Sequence, residues 1–164
     1  MKIGVSGSHG TGKSFTVYEL ANRYKLEYPT KEVTVITEVA RDCPLPINQG
    51  TTIKAQEWMI SNQIQREINA ENNCDIIITD RTLADYLAYT RSKYEHLYHK
   101  LLPFLKYYIS SYDVIFYKTL ENNNQYLIND GVRDVDEEFQ KNIDTSLQDI
   151  YNLLKTNLKD FRYI

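Results

Sequence analysis

The stretch that most constrains the fold of this chain lies near its start, where residues 7–14 read GSHGTGKS. The stretch fits the pattern G-x-x-x-x-G-K-[ST] at every fixed position. A short β-branched run, KIGVS, precedes it, and a segment with apolar residues at helical spacing, GKSFTVYELANRYKLEY, follows it. Because glycine weakens helices, three glycines where a helix should begin indicate that this backbone has a different task.

A glycine-rich turn between a strand and a helix suits the binding of phosphate groups. Its backbone N–H groups converge on one point, with φ values and a closeness of approach that glycine tolerates. The following helix points its positive dipole end at the same anion. We therefore expect a bound nucleoside triphosphate, with Lys13 at the β- and γ-phosphates and the Ser14 hydroxyl at one position of Mg²⁺. The residues expected to contact the nucleotide are Gly7, Ser8, His9, Gly10, Thr11, Gly12, Lys13, Ser14 and Phe15.

The rest of the chain alternates between predicted strands and predicted helices. Beyond KIGVS, strands are predicted for EVTVITE, CDIIITD, YDVIFYKTL and the terminal FRYI. Helices are predicted for RTLADYLAYT, for a following segment kinked or interrupted at Pro103, and for EEFQKNIDTSLQDIYNLLKTN. A further helix is predicted over residues 51–72, with its buried face formed by Ile53, Ile60, Ile64 and Ile68. The alternation predicts one α/β domain over residues 1–164, with a mostly parallel sheet and helices on both faces.

Composition excludes several classes of protein. The net charge of −3 leaves no overall basic surface for duplex nucleic acid. No apolar run reaches about 18 residues and the N-terminus lacks a signal-peptide core, so we expect a cytoplasmic protein without a membrane partner. Cys43 and Cys74 lack metal-ligand spacing and are expected to be reduced. Of the 14 tyrosines, those in the cluster from Tyr86 to Tyr117 recur at helical spacings, which favours core packing over a platform for nucleobase stacking.

Charged groups also fall at the carboxyl ends of two other predicted strands, where parallel sheets collect ligands. Glu38 ends the second strand and is interpreted as a catalytic base, a holder of metal-bound water, or a solvated glutamate. Asp80 ends the buried third strand and is either a second Mg²⁺ anchor acting through water or the cap of the next helix. Arg81 follows at once, and its planar guanidinium suits a phosphate or a sugar oxygen.

A polar segment after the fourth strand is predicted to form a short lid around residues 120–136. Its Arg133 is placed to stabilise the transferred phosphoryl group once such a lid closes. The alternative is a surface arginine paired with Asp134 or Asp136.

The pocket for an acceptor is expected between strands 2 and 3, bordered by the loop ARDCPLPINQGT and the helix after it. Arg41 is a candidate for binding an anion, and Trp58 is a candidate for stacking. Gln56 and Gln63 are candidates for reading a base or an amide. Each of the four residues has packing or surface exposure as its alternative.

Four segments in this order make the chain resemble the P-loop nucleoside and nucleotide kinases: GSHGTGKS, TEVARDCPLPIN, IITDRTLADYLAY and DGVRDVDEEFQ. More narrowly, the chain is similar to the small ATPase and kinase domains associated with NAD metabolism, including ribosylnicotinamide kinase domains. The resemblance implies a five-stranded parallel sheet, ATP and Mg²⁺. The site residues that it implies are Lys13, Ser14, Glu38, Asp80, Arg81 and Arg133, in the roles given above. Kinase lids often carry several arginines, whereas the segment here carries one.

The leading hypothesis is a kinase that transfers the γ-phosphoryl group of ATP to a nucleoside, a nucleoside monophosphate or a nucleoside-like metabolite. If the acceptor is a hydroxyl, Glu38 should act as base; if it is a phosphate, Arg81 and Arg41 should matter more. The alternatives are a regulatory ATPase without an acceptor and a kinase acting on polynucleotide ends or DNA bases. A GTPase is disfavoured, because neither N/T-K-x-D nor D-x-x-G occurs. Assembly as a homodimer is left open.

Overall fold

The computed structural model describes residues 1–120 and 135–164, which form one parallel sheet with helices on both of its faces. The strands are β1 (Lys2–Ser6), β2 (Val33–Ile36), β3 (Ile76–Asp80), β4 (Val114–Tyr117) and β5 (Phe161–Tyr163). The helices are α1 (Lys13–Glu27), α2 (Ile53–Glu71), α3 (Leu83–Lys93), α4 (Glu95–Tyr108) and α5 (Glu137–Leu154). The predicted α/β class with a five-stranded parallel sheet is confirmed.

The order of the strands creates a crevice beside the central strand. The sheet runs β2-β3-β1-β4-β5, and every neighbouring pair is parallel. The chain leaves β1 toward β2 and leaves β3 toward β4, so the connections after these adjacent strands diverge. Ligands of open α/β sheets bind at such a point, outside the carboxyl ends of the strands. Because Val5 pairs with Asp80, the segments that follow β1 and β3 start side by side.

Apolar side chains alternate between the two faces of the sheet. Ile3, Val5 and Phe116 pack with Val17 and Leu20 of α1 on one face. The opposite face carries the larger core cluster, to which α2, α3, α4 and α5 contribute. The strands are therefore covered on both sides, as the apolar run before Asp80 suggests.

Six of the eight tyrosines from Tyr86 to Tyr117 are buried, which confirms the prediction of core packing for this group. The buried members are Tyr86, Tyr89, Tyr98, Tyr108, Tyr112 and Tyr117, and Tyr151 of α5 is buried as well. Six of these seven hydroxyls form hydrogen bonds with other side chains, as is usual for buried tyrosines. The Tyr108 and Tyr112 hydroxyls donate to the Glu67 carboxylate of α2, at 2.9 and 2.6 Å.

The predicted buried face of α2 is only partly right. Ile53 and Ile68 are exposed, whereas the polar residues Gln56, Gln63 and Glu67 are buried. Glu67 tolerates burial because Lys2, Gln63 and two tyrosine hydroxyls surround its carboxylate with donors. Counting apolar residues cannot detect a helix face whose buried positions are satisfied by hydrogen bonds.

Two further features concern the connections and α4. The predicted loop ARDCPLPINQGT contains most of one short 3₁₀ turn, Val39–Asp42, and all of a second, Asn48–Gly50. Helix α4 continues through Pro103 to Tyr108, so it is not interrupted there, and a kink at Pro103 stays a prediction. Pro103 has no N–H to donate to the carbonyl oxygen of His99, and His99 lies on the exposed side of the helix. Within residues 1–120 and 135–164, no helix has the length and apolar character needed to cross a membrane.

Candidate active site

The connection between β1 and α1 has the backbone conformation that its glycines predict. Gly10 and Gly12 have φ of 71° and 80°, in the left-handed region. Gly7 has φ of 146°, and a Cβ added there would lie 2.5 Å from the carbonyl oxygen of Lys118. Gly12 is also the N-cap residue of α1 and has no side chain to accept the first N–H groups of that helix. This P-loop, residues 7–14, therefore leads into a helix N-terminus without a side-chain cap, which is a suitable place for an anion.

Lys13 is buried at the start of α1, and its ammonium group turns back onto the P-loop. Its Nζ donates to the carbonyl oxygen of Ser8 and lies 3.5 Å from the Thr11 hydroxyl. Burial and the nearby Arg81 lower the pKa of Lys13 to about 8, although three carboxylates oppose the shift. A buried ammonium group with neutral partners gains from the approach of an anion.

Ser14 and Asp80 bring a hydroxyl and a carboxylate together beside Lys13. The Ser14 hydroxyl donates to Oδ2 of Asp80 at 2.6 Å. Burial raises the pKa of Asp80, while Lys13 and the bond from Ser14 act in the opposite direction. Hard oxygen ligands of this kind suit Mg²⁺, which usually keeps water and substrate phosphates as its other ligands. No cluster of three or more His, Cys, Asp and Glu side chains suited to a metal occurs in the described parts of the chain.

Glu38 and Arg81 form a buried ion pair across the crevice. Nε of Arg81 donates to Oε1 of Glu38 at 2.6 Å, and Nε of Arg41 lies 3.4 Å from Oε2. Burial alone would raise the pKa of Glu38, but the charges of Arg81, Lys13 and Arg41 lower it to about 2. The Glu38 side chain is 12% exposed, so the alternative of a solvated glutamate at the end of a strand is wrong.

Arg81 itself has an unusual backbone. Its φ of 93° lies in a region that residues with side chains rarely adopt. Such strain is found preferentially at ligand-binding and catalytic positions. The conformation turns the chain directly after β3, and the cap of α3 is Thr82 rather than Asp80. Capping therefore does not explain why Asp80 stands at the end of this strand.

A second recess adjoins the P-loop and is called here the acceptor pocket. Its lining residues are His9, Glu38, Ala40, Ile47, Asn48, Gln56, Met59, Arg81, Tyr86 and Tyr89. His9, Glu38 and Arg81 also line the smaller cavity that contains Lys13, Ser14 and Asp80. The two recesses therefore share a wall made of these three residues.

Of the four residues proposed to read an acceptor, only Gln56 lines the pocket. Its amide is held by hydrogen bonds with the hydroxyls of Thr51 and Thr90, at 2.8 and 3.2 Å. Gln63 is completely buried and bonds to Glu67 instead. Trp58 is partly buried and packs against the core cluster. Arg41 stands nearby through its ion pair with Glu38.

Two other predicted contacts have different outcomes. Phe15 lies in the first turn of α1 with 61% of its surface exposed, and a role in nucleotide binding stays a prediction. Arg133 lies outside the described residues, as does most of the predicted lid. The expected roles of the P-loop residues, Glu38, Asp80 and Arg81 likewise stay predictions, although the fold brings these residues together.

Sequence reasoning missed two residues that support the site. Asp85 accepts a hydrogen bond from the backbone N–H of Gly7 at 3.1 Å. Tyr89 pairs its hydroxyl with Nδ1 of His9 at 2.9 Å. The spacing Thr82-x-x-Asp85 is a recognisable capping signal, but nothing local indicates the contact with Gly7. Tyr89 carries no local signal, since its partner lies 80 positions away.

Comparisons with known proteins agree with this geometry. A family model described as an AAA domain matches residues 2–161. No protein of curated function matches the sequence. Deoxyadenosine kinase from M. mycoides with bound dATP has a TM-score of 0.70 at 19% sequence identity, covering 100% of this chain and 90% of the other. Thymidylate kinase from Ehrlichia chaffeensis has a TM-score of 0.69 at 18% identity, covering 100% and 91%.

These structural likenesses confirm the predicted fold, that of the P-loop nucleoside and nucleotide kinases. The closer similarity to ribosylnicotinamide kinase domains stays a prediction. Because the family model extends over almost the whole sequence, the chain belongs to this AAA-domain family.

Proposed function

We propose that this protein is an ATP- and Mg²⁺-dependent kinase that phosphorylates a hydroxyl of a nucleoside or a nucleoside-like metabolite. The observation that carries the proposal is the shared wall between the two recesses. Lys13, Ser14 and Asp80 lie on one side of it, and the acceptor pocket lies on the other. A donor phosphate held by the P-loop therefore borders directly on a molecule held in the pocket.

The donor side fits a triphosphate with Mg²⁺. The P-loop offers backbone N–H groups and the Lys13 ammonium group to the β- and γ-phosphates. Ser14 and Asp80 would hold Mg²⁺, directly or through water. When bound, the ion neutralises charge on the phosphate oxygens. The deoxyadenosine kinase of similar fold holds bound dATP, which supports a nucleotide as the class of ligand.

The acceptor side favours a hydroxyl over a phosphate. Arg81 forms an ion pair with Glu38 at 2.6 Å and lies 3.5 Å from Asp85, and these two carboxylates make this wall of the pocket less attractive to a phosphate than an unpaired arginine would be. The remaining lining is mostly neutral, with Tyr86, Tyr89 and Met59 beside the amide of Gln56. Aromatic and apolar walls with a few fixed polar groups suit a neutral, planar molecule such as a nucleoside.

Glu38 and Arg81 then have complementary tasks in the transfer. Glu38 is ionised at neutral pH, so its carboxylate accepts the hydrogen bond of the attacking hydroxyl and orients the oxygen toward the γ-phosphorus. As the new P–O bond forms, the bond to the β-phosphate oxygen breaks and ADP leaves, while the hydroxyl proton passes to Glu38. A base with a low pKa is sufficient, because phosphoryl transfer depends mainly on positioning and charge stabilisation. Arg81 fixes the Glu38 carboxylate, and Arg133 is proposed to stabilise the transferred group.

The test is turnover of ATP and Mg²⁺ against a panel of nucleosides, nucleoside monophosphates and nicotinamide riboside, with products identified by mass. The expected result is one or a few phosphorylated nucleosides, formed in equal amount to ADP. Phosphorylation of a monophosphate instead would show that the acceptor group is a phosphate. Release of ADP without a phosphorylated product would indicate a regulatory ATPase, and phosphorylation of an added oligonucleotide would indicate a polynucleotide kinase.

A further inference from the structure

Asp85 is completely buried in the first turn of α3, and the proposed chemistry gives it no contact with the donor or the acceptor. Its Oδ2 accepts hydrogen bonds from the backbone N–H and the hydroxyl of Thr82, at 2.8 and 3.0 Å. Its Oδ1 accepts the backbone N–H of Gly7 at 3.1 Å and lies 3.5 Å from Nη1 of Arg81. One carboxylate therefore joins the first residue of the P-loop, the start of α3 and the arginine of the acceptor pocket.

Helix capping accounts for only part of this arrangement. A capping box needs the bond to the N–H of Thr82, and such boxes also work at exposed positions with Glu or Gln. The bond to Gly7 crosses 78 positions of the sequence and requires a buried carboxylate. Burial of a carboxylate is unfavourable unless donors and an opposite charge compensate it, and Gly7 and Arg81 supply both here.

The two groups that Asp85 connects both have restricted backbones. Gly7 cannot carry a side chain, because a Cβ would collide with the carbonyl oxygen of Lys118. Arg81 has a positive φ, and its N–H donates to the carbonyl oxygen of Val5 on β1. A link between these two groups therefore connects well-defined positions, rather than two segments that could adjust independently.

We propose that Asp85 is a positioning residue that holds the P-loop and Arg81 at the separation that phosphoryl transfer requires. The inference rests on the proposed function, in which the P-loop binds the donor and Arg81 faces the acceptor. A displacement of about 1 Å between reacting groups can lower a rate by about a hundredfold. Asp85 acts on this separation from behind the site, through Gly7 on one side and Arg81 on the other.

The test is the substitution Asp85→Asn, which keeps the size of the side chain. Both oxygens of Asp85 accept backbone N–H groups, so in the variant an NH₂ group must face one of these donors. The substitution also removes the negative charge 3.5 Å from Arg81, while the ion pair between Arg81 and Glu38 remains. We expect the Kd for Mg²⁺-ATP, measured by calorimetry without an acceptor, to rise about tenfold. We expect kcat for the best nucleoside of the panel to fall about a hundredfold.

Two control variants separate positioning from a general loss of stability. Asp113→Asn removes a carboxylate that accepts the backbone N–H of Lys2, at the opposite end of β1. Asp144→Asn changes a buried carboxylate of α5 that accepts the Tyr117 hydroxyl. Both variants are expected to lower the melting temperature while leaving the Kd for Mg²⁺-ATP and kcat within about twofold of the wild-type values.

The inference is overturned if Asp85→Asn lowers the melting temperature alone, with the Kd for Mg²⁺-ATP and kcat unchanged. If this variant does not fold, Asp85→Glu gives the same test, since it keeps the charge but moves the oxygens by one methylene. A wild-type protein that binds ATP but phosphorylates no acceptor overturns the proposed function. In that case the ATP affinity of the Asp85 variant still decides whether the residue positions the P-loop.

Discussion

The two sides of the shared wall are built in different ways. The donor side comes from consecutive residues, 7–14, and from Asp80 on the neighbouring strand. The acceptor side comes from separate parts of the chain, within residues 38–48, 56–59 and 81–89, together with His9. A site built from one short segment can be recognised from its pattern, whereas a site assembled from separate elements depends on how these elements pack. If the two sides also differ in chemical task, substitutions on the donor side and on the acceptor side should change different kinetic and binding constants.

The largest effect is expected on the donor side. Lys13→Ala removes the buried ammonium group, and kcat for phosphoryl transfer should fall by at least about a thousandfold. Product formation followed by mass spectrometry measures it. Lys25→Ala, in the last turn of the same helix, is the matched control and should leave kcat unchanged. Substantial turnover in the Lys13 variant would contradict the assignment of the P-loop as the donor site.

The second-largest effect should distinguish the acceptor side from the donor side, because it should change kcat but not the Kd for Mg²⁺-ATP. Glu38→Gln keeps the shape of the side chain but removes its charge, so kcat should fall about a hundredfold or more for a hydroxyl acceptor. The Kd for Mg²⁺-ATP should change by less than about threefold, because donor binding depends on the P-loop. Glu57→Gln, at an exposed position of α2, serves as the control. An unchanged kcat for Glu38→Gln, together with phosphorylation of a monophosphate, would identify a phosphate as the acceptor group.

Glu38, on the acceptor side, should also make the free energy of unfolding depend on pH in the acid range. The pKa of Glu38 falls from its ordinary value of 4.5 to about 2 in the folded protein. The ion pair therefore contributes stability that is fully present above pH 4.5 and is lost as the pH falls toward 2. The shift corresponds to about 3 kcal/mol of the free energy of unfolding.

Urea unfolding of the wild type and of Glu38→Gln measures this contribution. Between about pH 5.5 and about pH 3, the wild-type free energy of unfolding should fall more steeply than that of the variant. Equal slopes would show that Arg81 does not stabilise the ionised carboxylate.

The smallest effect distinguishes two residues of one helix. Gln56→Leu removes the amide that lines the acceptor pocket and should raise KM for the nucleoside about tenfold. Trp58→Leu should lower the free energy of unfolding without changing KM, because Trp58 packs against the core. Steady-state kinetics and urea unfolding of both variants make the comparison. If KM rises for the Trp58 variant and not for the Gln56 variant, Trp58 contacts the acceptor and Gln56 does not.

The sequence predicts more of the donor side of the candidate site than of its acceptor side. Lys13 and Ser14 follow from the motif, and Asp80 follows from its place after a buried strand beside that motif. Glu38 and Arg81 were predicted as separate strand-end groups, but their direct pairing was not. On α2, Gln56 and Gln63 look equivalent in sequence, and only the neighbouring hydroxyls and carboxylates show which of them lines the pocket.

The isoleucines of α2 illustrate the same limit for the fold. Their spacing predicted one buried face, yet the packing of α2 beside Lys2 and the tyrosines favours a partly polar face. Periodicity measures where apolar residues recur, and it carries no information about hydrogen-bond partners that come from other elements.

By itself, the sequence determined the alternation of strands and helices and the positions where the P-loop needs glycine, because apolar periodicity and φ preferences are local properties of the chain. Only the tertiary structure decided which charges meet. Arg81 pairs with Glu38 across 43 positions, and Asp85 reaches Gly7 across 78. Contacts over such separations depend on the order of the strands in the sheet and on where the first turn of α3 lies relative to the end of β1, and these are properties of the whole fold.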